Sequence, residues 1–337
     1  MPELVLFGSL TLDNVLTATG DVLPRVASGN VVYAALGACL WHASVGIVSR
    51  AGRDYDSQAL DRLTGLGIAV DGVAWLDRPH GMNCAFWYRP DGSRERAFPP
   101  EVLARVPPAE RGRFDDYTTH GTAHRYSVWS DFAPEPGDMP AAWWPGLRAA
   151  HCAAMPVERH LALARALRGL GRPVDLQVDS PWYDARDLDR PVAHELLPLL
   201  DRLLPSEADL LAGDPRSAPM HSAAALLRGG VPVVVVKRGD AGSVTLRANG
   251  IPLCVPAVSV WAADPTGAGD AFCGGFLAGF HQTADLGEAA LMATVSASFA
   301  VEMPGIEGLC AADPSEAQRR LEWLRAHLKQ EQERNAP

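Results

Sequence analysis

The chain has 337 residues, 47% hydrophobic and 21% charged, with a formal net charge of −10. That length is ample for one large α/β domain with an appendage, and the acidic balance excludes broad nucleic-acid or anionic-membrane binding, which needs a concentrated Lys/Arg surface. The six cysteines are dispersed without a C-x-x-C pair, so neither a disulfide framework nor a thiolate zinc site is suggested, and with no basic n-region or run of about 20 apolar residues a soluble cytoplasmic protein is expected.

In chain order, ELVLF (3–7) predicts a first strand ending at Gly8. NVVYAALGACLWH (30–42) predicts a buried helix and SVGIVSR (44–50) a return strand. GMNCAFWYRPDGSRERAF (81–98) alternates on both sides of Pro90-Asp91-Gly92 and predicts a β-hairpin, which inside a βα series is a candidate lid. Trp87 and Tyr88 fall on opposite faces of that hairpin, so one of them can cover a ligand ring, although packing is the common fate of strand aromatics. Residues 99–148 carry many Pro, Gly, Asp and Trp without a clean period and are expected to be irregular. His120 and His124 there have the i, i+4 spacing of a metal pair, but Gly121 argues against a helix and no third ligand is evident.

Strands follow at 149–155, 173–179 and 232–237, with helices at 157–170, 286–302 and 314–330. Strands alternating with helices mean a mostly parallel sheet covered by helices, and PVVVVK suits an interior strand.

The stretch DPTGAGDAFCGGFLAG (264–279) turns apolar after Asp270, with Phe272, Phe276, Leu277 and Phe280 at helical spacing, so a helix begins near Gly267–Asp270. The first backbone N–H groups of a helix have no intrahelical partner. Gly267, Ala268 and Gly269 have little or no side chain, so an anion can approach those donors where the helix dipole favours negative charge. If that anion is a phosphoryl group in transfer, Asp270 is placed to take the proton of an attacking hydroxyl. Read alone, an aspartate in a first turn serves equally as a cap. No G-x-x-x-x-G-K-[ST] or G-x-G-x-x-G is present, which excludes a P-loop ATPase and a Rossmann dinucleotide enzyme.

DPTGAGDAFCGGFL (264–277) resembles the C-terminal signature of the ribokinase-like, or PfkB, carbohydrate kinase family. VLFGSLTLDNV (5–15), the stretch from Ser28 to Asp54 and VVVVKRGDAGS (233–243) resemble, in the same order, its first strand with a substrate aspartate, its glycine-led helix and next strand, and its nucleotide turn. The resemblance leaves out 99–148. It implies a ribokinase-like three-layer α/β/α sandwich with a mostly parallel central sheet and a small β-strand lid. The implied division is a main α/β domain of 1–10, 28–79 and 149–330, a lid of 11–27 and 80–100, an irregular connection over 101–148 and a frayed tail at 331–337. The implied activity is transfer of the ATP γ-phosphoryl to an alcohol, with Asp270 as base and Gly267, Ala268 and Gly269 as anion hole.

Carried over by position, Asp13, Thr11, Gly29, Asn30 and Tyr33 bind substrate. Lys237, Gly239, Gly242 and Thr294 line the nucleotide site. Asp264 and Thr266 match positions that hold a monovalent cation, leaving K⁺ open beside ATP and Mg²⁺. The chain departs from the family at Ser28-Gly29 in place of two glycines and at Tyr33 in place of an asparagine. For the family's Asn-x-x-Glu motif, tied to the magnesium network, LLPSEADLL (203–211) offers Glu207, with Leu204 at the asparagine's place. The expected acceptor is a sugar or polyol; a nucleoside or vitamin-type alcohol, or a non-catalytic small-molecule sensor, stays as an alternative. An exposed lid edge leaves a homodimer through the lid open.

Overall fold

The computed structural model of the chain describes residues 1–89, 94–180, 191–213 and 218–334; the expected turn at Pro90-Asp91-Gly92 lies outside them. Its strands are β1 (Leu4–Phe7), β2 (Thr11–Leu16), β3 (Val22–Ser28), β4 (Val45–Gly52), β5 (Ala69–Leu76), β6 (Asn83–Tyr88), β7 (Arg94–Glu95), β8 (Ala149–Cys152), β9 (Asp175–Asp179), β10 (Arg202–Leu204), β11 (Val233–Lys237), β12 (Ser243–Arg247) and β13 (Leu253–Val255). Its helices are α1 (Asn30–Cys39), α2 (Ser57–Gly65), α3 (Pro100–Leu103), α4 (Thr122–Phe132), α5 (Val157–Arg168), α6 (Pro191–Leu196), α7 (Glu207–Gly213), α8 (Pro219–Arg228), α9 (Ala268–Thr283), α10 (Leu286–Glu302), α11 (Glu307–Cys310) and α12 (Pro314–Arg334).

The strands form a large sheet in the order β13-β12-β11-β10-β9-β8-β1-β4-β5. Pairing is parallel from β5 across to β11 and antiparallel through β12 and β13. Alternate residues of β1 feed two cores. Leu4 and Leu6 pack with α1, α9 and α10, while Val5 and Phe7 pack with α4, α5 and α8 on the other face. Burial on both faces explains why β1 and β11 read as continuous apolar runs rather than as alternation.

Helix α1 lies almost backbone-to-backbone on α9: a Cβ at Gly274 would sit 1.8 Å from the Ala34 carbonyl oxygen. This contact sets the first turns of the two helices side by side at the carboxyl ends of the strands, where ligands of open α/β sheets bind.

A second sheet, β3-β2-β6-β7, stands apart. It pairs β2 with β6 in parallel, and β6 with β7 antiparallel through Trp87–Glu95 and Tyr88–Arg94. The expectation of an irregular 101–148 needs correction, because α4 occupies Thr122–Phe132 within it. Gly121, at φ 86°, ends the preceding turn rather than breaking the helix, and Trp129 and Phe132 anchor α4 in the core. His124 therefore does lie on a helix, with its ring 5.1 Å from that of His120. The tail expected to fray from 331 stays helical to Arg334, and 335–337 lie outside the described residues. Among the described residues no helix is long and apolar enough to cross a membrane.

Candidate active site

Helix α9 starts where the glycine-rich stretch placed it, with Gly267 as its N-cap in the left-handed region at φ 76°. Glycine is required there twice over: an L side chain is strained at that φ, and a Cβ would lie 2.1 Å from the Tyr33 ring. Of the three small residues, Ala268 turns its N–H toward the Pro265 carbonyl at 3.3 Å. Asp270, one turn in, faces a cavity of about 150 Å³. Thr11, Asp13, Gly29, Asn30, Tyr33, Thr266 and Gly267 also line it. The predicted base and the predicted substrate residues thus meet around one space.

Their roles within it differ. Thr11 donates its hydroxyl to Asp13 at 3.0 Å, leaving the acid oriented toward the cavity side of β2. Asn30 is spent on the scaffold, accepting from the Ser9 amide and donating to the Ala154 carbonyl, both at 2.8 Å. Tyr33 packs its ring on Gly267, and its buried hydroxyl has Ser28 beside it without a completed hydrogen bond. Burial, and next Asp13, push that hydroxyl's pKa upward.

Behind Asp270 lies a charged cluster. Lys237, at the end of β11, donates to Asp179 at 2.7 Å and points its Nζ toward the Cys273 sulfur at 3.5 Å. A Cβ at Gly269 would stand 3.5 Å from that Nζ, so the ammonium lies against the mouth of α9. Burial opposes the Lys237 charge, but Asp179, Cys273 and Asp209 together outweigh it and raise the lysine's pKa. The Asp270 carboxyl is pushed up to about 8, first by burial and then by Asp179, with Lys237 pulling it down and Asp209 adding to the rise.

Asp209 was not predicted. Glu207 was, and the structure separates it from the cluster: its carboxylate binds Arg238 at 2.9 Å on a partly exposed face. Leu204, at the supposed asparagine position, is fully buried core. Ser206 and Asp209 instead form the polar pair, with the Ser206 amide and hydroxyl donating to Asp209 Oδ2 at 2.8 and 2.6 Å. Sequence pointed to Glu207, one of two acids spaced two apart in one short segment.

The remaining predicted residues are placed as follows. Gly239 and Gly242 adopt φ 59° and 81° in the turn from β11 to β12, and a Cβ at Gly239 would meet open space. Thr294 is buried in α10 and turns its hydroxyl to the Ala290 carbonyl, which leaves that group engaged within its own helix. Asp264 Oδ1 accepts from the amide and hydroxyl of Thr266, and Oδ2 accepts from the Tyr88 hydroxyl at 2.6 Å and the Gly305 amide at 3.4 Å.

Trp87 packs in the small sheet's own core and Tyr88 reaches Asp264, so neither lines the cavity; Phe86 does. Tyr117, Trp129 and Arg96 complete the wall. Arg96 is paired with Asp116 at 3.1 Å, and Trp129 donates to the Ser9 hydroxyl at 3.2 Å. Asp179 carried a usable signal, as the last residue of a strand that ends at the crevice. The Tyr117 and Trp129 positions carried none, because they reach the cavity from a segment without periodicity.

The pfkB family carbohydrate kinase pattern matches residues 149–311. A cytidine kinase of Thermococcus kodakarensis is 27% identical over 298 residues, spanning 86% of this chain and 92% of that protein. The ribokinase of Arabidopsis thaliana solved with ribose and ATP superposes with a TM-score of 0.67 at 18% identity, over 95% of this chain and 99% of the other. A nucleoside kinase of Burkholderia thailandensis solved with inosine does so with a TM-score of 0.65, also at 18% identity, over 95% and 98%. The three-layer sandwich with its small β lid is the fold these structures share.

Proposed function

This chain belongs to the pfkB carbohydrate kinase family, and from that premise we propose that it moves the γ-phosphoryl of ATP to a hydroxyl of a sugar or polyol, with Asp270 as the general base. The observation that carries this reading is that Asp270 and Asp13 line one cavity at the mouth of α9. Asp13, held by Thr11, binds acceptor hydroxyls and presents one of them to Asp270. The amides of Gly267 and Gly269 stabilise the equatorial oxygens of the transferring group, and Lys237 adds positive charge beside them. Gly239 leaves room for the nucleotide along the turn after β11, while Gly242 lets that turn pack against the Val255 carbonyl.

The acids fit a divalent cation. Burial chiefly raises the Asp270 pKa, and Asp179 and Asp209 add to the rise against the pull of Lys237, so three carboxyl groups share one ammonium there. Asp209, held by Ser206, and Asp179 are the residues that would hold Mg²⁺, which when bound neutralises phosphate charge. Asp264 fits a monovalent cation less well, because hydrogen-bond donors engage both of its carboxylate oxygens; it suits an anchor for the loop and the lid.

A nucleoside acceptor is favoured by one further observation: Phe86, Tyr117 and Trp129 give the cavity an aromatic wall next to Asp13, suited to a base carried on the sugar. Incubating the protein with Mg·ATP and a panel of sugars, polyols and nucleosides tests both readings. ADP release with at least one compound is expected. A silent panel alongside tight ligand binding would replace the kinase reading with that of a sensor.

Self-association through the lid belongs to the same proposal. β3 is an edge strand with Leu23 46% and Val26 37% exposed, which is pairing surface for a second copy. The mass in solution decides it, and a monomer at all concentrations removes it.

A further inference from the structure

At the end of the sheet opposite the candidate active site, three side chains from three elements meet. Glu3 precedes β1, His42 follows the last turn of α1, and His281 lies in the last turn of α9. One donor atom from each lies within 4.8 Å of the other two. His42 Nε2 is 3.3 Å from Glu3 Oε2, and His281 Nε2 is 4.0 Å from the same oxygen. The two imidazoles meet edge to face with centroids 5.2 Å apart.

We infer that Glu3, His42 and His281 form a binding site for a divalent transition-metal ion of the Zn²⁺ class. His₂Glu is a donor set of the right hardness for such an ion, with a fourth position left for water. Zinc bonds of about 2.0–2.2 Å set tetrahedral donors about 3.4 Å apart, close to the separations found here. His42 Nε2 is buried yet makes no aligned hydrogen bond, even to the carboxylate beside it, so a strong polar atom is left for another partner. The C-terminal turns of α1 and α9 both end here, and the negative ends of their dipoles favour a cation. A metal held there clamps the far ends of the two helices whose first turns carry Tyr33 and Asp270. The inference rests on no part of the kinase reading.

The test is titration of chelator-stripped protein with Zn²⁺, with Mg²⁺ in excess to occupy the active-site acids. Wild type is expected to bind one Zn²⁺ and to show visible ligand-field bands when loaded with Co²⁺. His42→Asn/His281→Asn is expected to lose the bands and to bind Zn²⁺ about 100-fold or more weakly, while His120→Asn/His124→Asn keeps both. Should the first pair fold poorly by circular dichroism, Glu3→Gln, at a partly exposed side chain, serves in its place with the same loss expected. Equal Zn²⁺ affinity in wild type and in the His42/His281 or Glu3 variants, or no uptake by wild type, overturns the inference and leaves a simple histidine–carboxylate contact.

Discussion

The hydroxyl of Tyr88 donates to Asp264 Oδ2 at 2.6 Å, joining the lid strand β6 to the loop that opens α9 across 176 positions of sequence. The same carboxylate orders Thr266 through its other oxygen, so lid position and the loop entering α9 share one residue. Tyr88→Phe removes this latch without opening a cavity. A hydrogen bond to a charged group contributes about 1.5–3 kcal/mol, so kcat/KM for the acceptor is expected to fall about 10- to 100-fold. Steady-state kinetics with an acceptor found in the panel would show it; an unchanged kcat/KM would reduce the bond to a resting contact.

Asp270→Asn keeps shape and hydrogen-bonding capacity but cannot take a proton. Loss of a general base typically lowers the rate by about 10²- to 10⁴-fold, and a fall of that size in kcat is expected while ATP binding, measured by calorimetry, persists. A variant with near-normal turnover would remove Asp270 from the chemistry.

The pH dependence follows from the Asp270 carboxyl lying at about 8. A base acts ionised, so kcat/KM should rise with pH and level off above about 8. Asp179→Asn, which removes a negative neighbour, should move that limb to lower pH. For stability the sign is opposite. The folded carboxyl keeps a proton that the unfolded chain loses near its ordinary pKa of about 3.9. Its contribution is therefore full below that value and declines as pH rises through about 8. Denaturant unfolding at several pH values, in wild type and Asp270→Asn, would expose the slope; its persistence in the variant would assign it to another group.

The two acids of α7 should separate cleanly. Asp209→Asn is expected to raise the Mg²⁺ concentration needed for half-maximal rate about tenfold or more, since one of the clustered carboxylates is lost. Glu207→Gln breaks only a partly exposed pair with Arg238, worth about 0–1 kcal/mol, and should leave the Mg²⁺ dependence unchanged. The reverse pattern would restore Glu207 to the role first expected of it.

Gly267→Ala meets both obstacles at that position, the positive φ and the Tyr33 ring. The backbone part alone costs about 1–2 kcal/mol, so chemical denaturation should show at least that loss, together with a severe loss of turnover. Adding Tyr33→Ala should recover part of the stability by freeing the contact. No recovery would show that the left-handed backbone, not the ring, sets the requirement.

How much of this was readable beforehand depended on how far apart along the chain the cooperating groups lie. Gly267, Ala268, Gly269 and Asp270 are consecutive, and a helix start imposes their geometry locally, so the bare helix mouth and the acid in its first turn could be read from a few letters. The βα alternation revealed the sheet for the same reason, because strand and helix periods are local. Residues 101–148 concealed α4, since its anchoring residues Trp129 and Phe132 show their pattern only against the core they enter. Which acid of LLPSEADLL faces the Lys237–Asp179 cluster was hidden for a related reason: Glu207 and Asp209 differ by the rotation of one short helix, which packing decides.

By itself the sequence determined one end of the cavity: a helix mouth bare of side chains with an acid in its first turn, and a parallel sheet to carry it. Only the tertiary structure decided the cavity wall of Phe86, Arg96, Tyr117 and Trp129, the Tyr88–Asp264 hydrogen bond, and the meeting of Glu3, His42 and His281. Local backbone chemistry acts between neighbours in the chain and leaves a legible pattern. These other sets form between residues many tens of positions apart, where only the packing of whole elements brings them within bonding distance.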